Sequence, residues 1–185
     1  MFMKMQPIAP LMIEHRLIER MIKAMDNELA RMQGTGKADP AFIETAVDFV
    51  RTYADRCHHG KEEDILFREL SKKAISEEHK TIMQELVEEH RRGRKITGEL
   101  LKAKDRYQQG EEEVLSTIVD RLKFLVEFYP KHIEKEDRHF FIPVMKYFSQ
   151  PEKDAMLQEE REFDQQFIHE MYKGIVAEVE RRKDY

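Results

Sequence analysis

The chain has 185 residues, of which 41 % are hydrophobic and 37 % charged, and a formal net charge of -5. That length holds one domain with a substantial core, and the mixture suits long amphipathic helices with solvated outer faces. The balance excludes a general basic footprint for nucleic acid, the single cysteine excludes an intramolecular disulfide framework, and no run of about 18 apolar residues is present to span a membrane.

Five helices are predicted in chain order. The N-terminal stretch MFMKMQPIAPLMI has no long apolar run and is interrupted by Pro7 and Pro10, so no signal peptide is expected and the cytoplasm is the default location. The first helix runs from about Pro10 to Met32. Its residues Leu11, His15, Ile18, Ile22, Met25, Leu29 and Met32 follow a 4-3-4-3 spacing, which is one helix face. Gly34-Thr35-Gly36 ends it. Asp39 is an N-cap with Pro40 at the first helical position of a second helix, which extends to about Lys72. Ser76 caps a third, to about Gln108, and Gly110 breaks it before a fourth that ends near Phe148. Ser149 with Glu152 is a capping-box signature for a fifth helix, with Phe163, Phe167, Met171, Ile175 and Val179 at helical spacing. Neither strand-like alternation nor a repeat of fixed period is evident. The basic run Arg91-Arg92-Gly93-Arg94-Lys95 reads as a solvated helix face. Cys57 reads as a small buried hydrophobe suited to a reducing compartment.

Short connections make consecutive helices antiparallel. With turns near residues 36, 74 and 110, His15 lies about 21 residues before the first turn and His58 about 22 after it. His58 and His90 each lie about 16 from the second turn, and His90 and His132 about 20 and 22 from the third. Four histidines therefore share one level, a coincidence amphipathic patterning does not require. His58 and His132 each have a glutamate four residues on, Glu62 and Glu136, on the same face ~40° away. A single buried histidine is more often a hydrogen-bonded core residue than a ligand. Four at one level with two inward carboxylates favour a buried two-metal site, since the carboxylates compensate cation charge and can bridge. Imidazole with carboxylate suits iron, manganese or zinc.

His59 also begins a His-x-x-x-Glu pair, with Glu63. It follows Asp55 and Asp48 on a polar line, whereas His58 follows Ala54 and Val47 on an apolar one. His58 is therefore expected inward and His59 exposed or behind the ligands. Glu19 lies at the edge of the first helix's stripe. His79 and His139 fall at other levels. His169 reaches the level, but on the fifth helix.

The segments from His58 to Phe67 and from His132 to Glu136 resemble the paired motifs of the hemerythrin-like (HHE cation-binding) domain. Glu14-His15-Arg16 and Glu89-His90 resemble its first- and third-helix histidine motifs. The resemblance implies an all-α, up-down-up-down four-helix bundle over about residues 10–148, with an additional C-terminal helix over about 151–182, all within one domain. It implies a non-haem di-iron centre with His15, His58, Glu62, His90, His132 and Glu136 as ligands. Dioxygen-carrying members have a further histidine one turn after the third-helix one, where this chain has Arg94. The expected function is binding of dioxygen, peroxide or nitric oxide at an open iron position, for sensing, storage, detoxification or repair, with a second copy or another protein as partner. Two rivals are a ferritin-like di-iron oxidase, for which only Glu136-Asp137-Arg138-His139 supplies a Glu-x-x-His motif, and a metal-free helical interaction module. Pro130 frees the carbonyl of Val126 near the expected site.

Overall fold

The apolar stripe of the first helix is buried, and so is His15 within it. A computed structural model describes residues 5–182, the side chains of 168–170 and 172–182 excepted. Helix α1 is Ile8–Thr35, stopped by Gly36 at φ 67°, whose N–H bonds the carbonyl of Met32 at 2.8 Å. Helix α2 covers residues 40–70. Asp39 Oδ1 accepts from the N–H groups of Ala41 and Phe42 at 3.0 and 3.2 Å. Helix α3 is Glu77–Gln108, capped by Ser76 Oγ accepting from the His79 N–H at 3.3 Å. Helix α4 covers residues 115–144, and α5 is Gln150–Arg182, where Glu152 reaches back to the N–H of Ser149 at 2.8 Å. Among the described residues there is no strand, and no helix is long and apolar enough to cross a membrane.

Helix α1 packs on α4, α4 on α3 and α3 on α2, closing a four-helix bundle. Two apolar clusters fill it. One holds Ile22, Met25, Val47, Leu100, Leu122 and Tyr129; the other holds Leu11, Leu66, Phe67, Leu86, Phe140 and Phe141. The histidines form a polar layer between them, packed on both sides by residues of one cluster or the other.

Both helices that bear a buried His-x-x-x-Glu pair leave α-geometry at that layer. Val50–His59 and Glu62–Phe67 of α2, and Lys135–Phe141 of α4, are π-helical. With i→i+5 bonds the coil is wider and each residue advances through a smaller angle, so neighbours in sequence can face the same way. Such segments cluster at functional sites.

Helix α5 lies on α2. Lys61, fully buried, pairs with Glu14 of α1 and, at 2.8 Å, with Asp164 of α5. Arg68 grips Glu159 through two bonds of 2.8 and 2.6 Å. At the crossing, a Cβ on Gly60 would stand 2.9 Å from Cζ of Phe163. Glycine here permits the close approach, although alanine would otherwise favour the helix by ~1 kcal/mol. Gly60→Ala is therefore expected to destabilise by about 1–2 kcal/mol in denaturant unfolding. In a Phe163→Ala background the same substitution should be neutral or stabilising, and additivity of the two would remove the contact as the cause.

Glu160 of α5 is 2 % exposed with neither oxygen hydrogen-bonded, and burial pushes its carboxyl up to about 8. Its folded-state pKa thus exceeds the unfolded value near 4.5. The folded state holds the extra proton between these values, so stability falls as pH rises from about 4.5 to about 8. Glu160→Gln should melt higher than the parent at pH 8–9, with the gap closing toward pH 5. A gap independent of pH would refute this account.

Candidate metal centre

Five imidazoles meet in the polar layer, not four. His15 comes from α1, His58 and His59 from α2, His90 from α3 and His132 from α4, and each is at most 3 % exposed. His15 Nε2 and His58 Nε2 lie 2.9 Å apart. The rings of His59 and His90 stack with centroids 3.8 Å apart, and His90 and His132 meet edge to face at 5.0 Å. Donor atoms form two groups, His15–His58–Glu62–Glu136 and His59–His90–His132, each within 4.8 Å.

Glu62 and Glu136 are fully buried and divide their oxygens between the groups. Glu62 Oε1 is 3.2 Å from His58 Nε2, and its Oε2 is 3.3 Å from His90 Nε2. Glu136 Oε2 is 3.1 Å from His15 Nε2, and its Oε1 is 3.2 Å from His132 Nε2. These are close approaches without hydrogen-bond geometry: all four oxygens, with Nε2 of His90 and of His132, are buried and unpartnered. Buried polar atoms almost always have partners. Six without one, converging on one place, have the chemistry of a donor set for cations.

Every imidazole is held from behind by a carboxylate at Nδ1. His15 meets Asp137 at 2.7 Å, His58 meets Glu14 at 2.8 Å, His90 meets Glu63 at 2.7 Å, His132 meets Glu89 at 2.8 Å and His59 meets Asp55 at 3.3 Å. A proton held at Nδ1 leaves the Nε2 lone pair facing inward, which orients the ring and raises its basicity as a ligand.

Burial opposes charge on His58, but Glu62 and Glu14 outweigh it and push the imidazole up to about 10. His90 is raised to about 9 against burial by Glu136 and Glu63. His59 moves the other way. Burial, then His90 and His132, drive it well below its ordinary value and keep it neutral. Glu136 stays ionised despite burial because His132, His15 and His90 surround it. The layer draws positive charge, as protons or as metal ions that displace them.

The two halves of the bundle repeat one another about 75 residues apart. Glu14-His15-Arg16 corresponds to Glu89-His90-Arg91, and Lys61-Glu62-Glu63 to Lys135-Glu136-Asp137. The contacts repeat too. Glu14 holds His58 and takes Lys61, as Glu89 holds His132 and takes Lys135. Asp137 holds His15 across the halves, as Glu63 holds His90. Phe141 stacks on His15 at 5.6 Å and Phe67 on His90 at 6.1 Å. The repeat has no regular sequence periodicity, because little beyond the site obeys it. Its one break at the centre is His59, to which Ile133 corresponds.

His59 is thus a correction to the expectation from its polar line. The polar line holds only for uniform α-geometry, whereas π-helical turns bring His58 and His59 inward together. Asp55, which made that line look exposed, is the acceptor for His59. Arg94 takes no place among the donors. Its guanidinium joins Asp55 and Glu63, at 2.7 Å each, behind His59 and His90. His79 bonds Ser76 and Tyr147 away from the layer, and His139 is exposed. Glu19 pairs with Arg16 on the surface. The side chain of His169 lies outside the described residues. Glu14, Cys57 and Asp164 form a third cluster of donor atoms, but the ammonium of Lys61 bonds both carboxylates there. Burial pushes the Cys57 thiol up to about 12, so it is an inert hydrophobe at neutral pH.

The family model described as the hemerythrin HHE cation binding domain matches residues 6–142 and, overlapping, 81–182. The overlap is consistent with the internal repeat, since the second match begins within α3, the counterpart of α1. No curated protein and no solved structure matches the chain. With the family's motifs on four successive helices and its model spanning most of the sequence, the chain belongs to the hemerythrin HHE cation-binding domain family.

Proposed function

We propose that the layer binds a pair of iron ions, with manganese or zinc as alternatives. His15 and His58 would serve one ion, His59, His90 and His132 the other, and Glu62 and Glu136 both. The observation that carries this reading is the set of six buried, unpartnered donor atoms, with each carboxylate spanning both groups. A metal-free interaction module would leave those atoms unpartnered at a cost of several kcal/mol, which the surrounding imidazoles offset only in part. The ferritin-like alternative loses its one Glu-x-x-His motif, because His139 is exposed.

The chain's own residues orient and isolate the site. Asp137, Glu14, Asp55, Glu63 and Glu89 fix the five rings. Phe67, Phe140 and Phe141 seal one side and Tyr129 and Ile133 the other, excluding water. When bound, iron supplies reversible redox chemistry and an exchangeable position for a small ligand. The uneven division of imidazoles, two against three, supports such a position on the His15–His58 side. Dioxygen, nitric oxide or peroxide is the ligand class proposed, and the role proposed is binding for sensing, storage, detoxification or repair. A reducing compartment such as the cytoplasm suits the single thiol.

Anaerobic iron loading should give about two irons per chain, followed by visible absorption when dioxygen is admitted. His59→Ala and His58→Ala should each reduce the tightly held iron to about one. Full iron content in His59→Ala would remove it from the ligand set, and no uptake by the parent chain would sink the whole reading. Glu89→Gln, which removes no proposed ligand but replaces the carboxylate behind His132, should weaken iron binding about 10–100-fold with helix content unchanged. An unaltered affinity would show that His132 needs no carboxylate behind it.

A further inference from the structure

One imidazole of the layer is continued to the surface by aromatic rings. Phe128 stacks on His132 with centroids 5.3 Å apart and planes 17° apart. Phe124 stacks on Phe128 at 5.5 Å and 16°. The guanidinium of Arg92 closes the column, 4.5 Å above the Phe124 ring. Both phenylalanines are half-buried, and with His132 they line a surface hollow of about 390 Å³ between α3 and α4. The bundle does not require rings at these places. In the other half, Ala54 and Val50 stand one and two turns before His58, as Phe128 and Phe124 stand before His132. Both are buried there. Only this half exposes such a column.

The charge around the hollow has one free sign. Its acids are engaged: Glu89 by His132 and Lys135, and Glu127 by Lys123 at 3.8 Å. Arg92 and Lys131, both exposed, have no ion-pair partner among the described residues. The whole chain carries -5, so this face is a local exception. An acidic protein is repelled by the chain as a whole and attracted here, which turns it toward this face as it arrives. Aromatic residues and arginine are also enriched at protein interfaces.

We infer that the face formed by Arg92, Phe124, Phe128 and Lys131 is the docking site of an acidic one-electron carrier protein, and that the stacked rings couple its electron to the His132 side of the layer. The inference rests on the proposed iron centre. The carrier is oxidised by one electron, the iron pair takes that electron up, and no bond forms or breaks. The rings are not themselves reduced. They replace a gap with packed atoms, across which tunnelling is more efficient. The electron thus arrives on the side away from the exchangeable position proposed beside His15 and His58.

The test uses the iron-loaded full chain in its oxidised form. Reduced plant-type [2Fe–2S] ferredoxin is the acidic carrier for stopped-flow absorption, and oxidised ferredoxin is the probe for a binding titration. Arg92→Glu with Lys131→Glu should weaken ferredoxin binding at low salt, and raise the concentration that half-saturates reduction, by at least about tenfold. The limiting rate, iron content and spectrum should not change. The difference should shrink at 1 M salt, where the Debye length is about 3 Å. Reduced methyl viologen, a small cation, should reduce this variant no more slowly than the parent. The same charge change at Arg51→Glu with Lys102→Glu, on the exposed surface between α2 and α3, should leave binding within about twofold of the parent. Phe124→Ala, which touches no proposed ligand, should lower the limiting rate at saturating ferredoxin. Parental binding in the Arg92 and Lys131 variant, an equal loss in the Arg51 and Lys102 variant, or a parental limiting rate in Phe124→Ala overturns the inference. So does an iron-loaded parent that neither binds ferredoxin nor is reduced by it. A parent chain that takes up no iron removes the underlying reading and the inference with it, which the iron count reveals before any ferredoxin is added.

Discussion

Two carboxylates, Glu62 and Glu136, stand at the centre of the bundle with no exposure and no hydrogen bond, and much of the structure around them answers that condition. Taking an ionised carboxylate out of water costs several kcal/mol even after relaxation. The offset must come from charge nearby. The five imidazoles provide it in part, and each is backed by a further acid, so the layer is a nest of alternating sign: inner carboxylates, imidazoles, outer carboxylates. The outer acids meet a last ring of cations in Arg16, Lys61, Arg94 and Lys135. Charge thus alternates outward until solvent screens it. Removing any inner ring leaves its neighbours uncompensated, which is why the site and the fold cannot be treated as separate.

The nesting also explains how four helices hold one register. Within each half, the Glu-His helix steadies the histidine of its partner, as Glu14 does for His58. Across halves, the acid after the inner glutamate steadies the other half's histidine, as Asp137 does for His15. A one-residue slip of any helix would break contacts to two others. The apolar clusters above and below provide the favourable burial, but apolar packing tolerates many registers. The polar layer, with partners at 2.7–2.8 Å on four rings, selects one.

The legible part of this arrangement was what depends on helix length and breakers. Caps at Asp39 and Ser76, stops at Gly36 and Gly110 and the common height of His15, His58, His90 and His132 all follow from counting residues at 1.5 Å each. The side-chain direction at one position did not follow. His58 and His59 are told apart only by angle, and the angle per residue changes inside a π-helical stretch that no spacing rule announces. Asp55 misled for a related reason. An acid four residues before a histidine reads as a wet face, yet it can equally be the acceptor that holds a buried ring. The repeat of Glu-His and Lys-Glu-acid motifs was present in the sequence, but its meaning lies in contacts between halves that sequence distance hides.

Helix α5 breaks the symmetry that the four helices set up. Through Asp164 it closes over Lys61, whose side chain has no exposure, while the corresponding Lys135 retains 28 %. Glu14 is likewise more enclosed than Glu89, at 12 % against 26 %. The half with two imidazoles is therefore the covered one, and the half with His59 is the one that borders a solvent-facing hollow. That division is physically coherent. On the covered side, low dielectric and excluded water strengthen every charge interaction. The third imidazole of its group, His59, stands on the open side. Arg94 completes that side. Its guanidinium stands behind the imidazoles and has the wrong charge to join the donor set. Instead it ties together the two acids that hold His59 and His90.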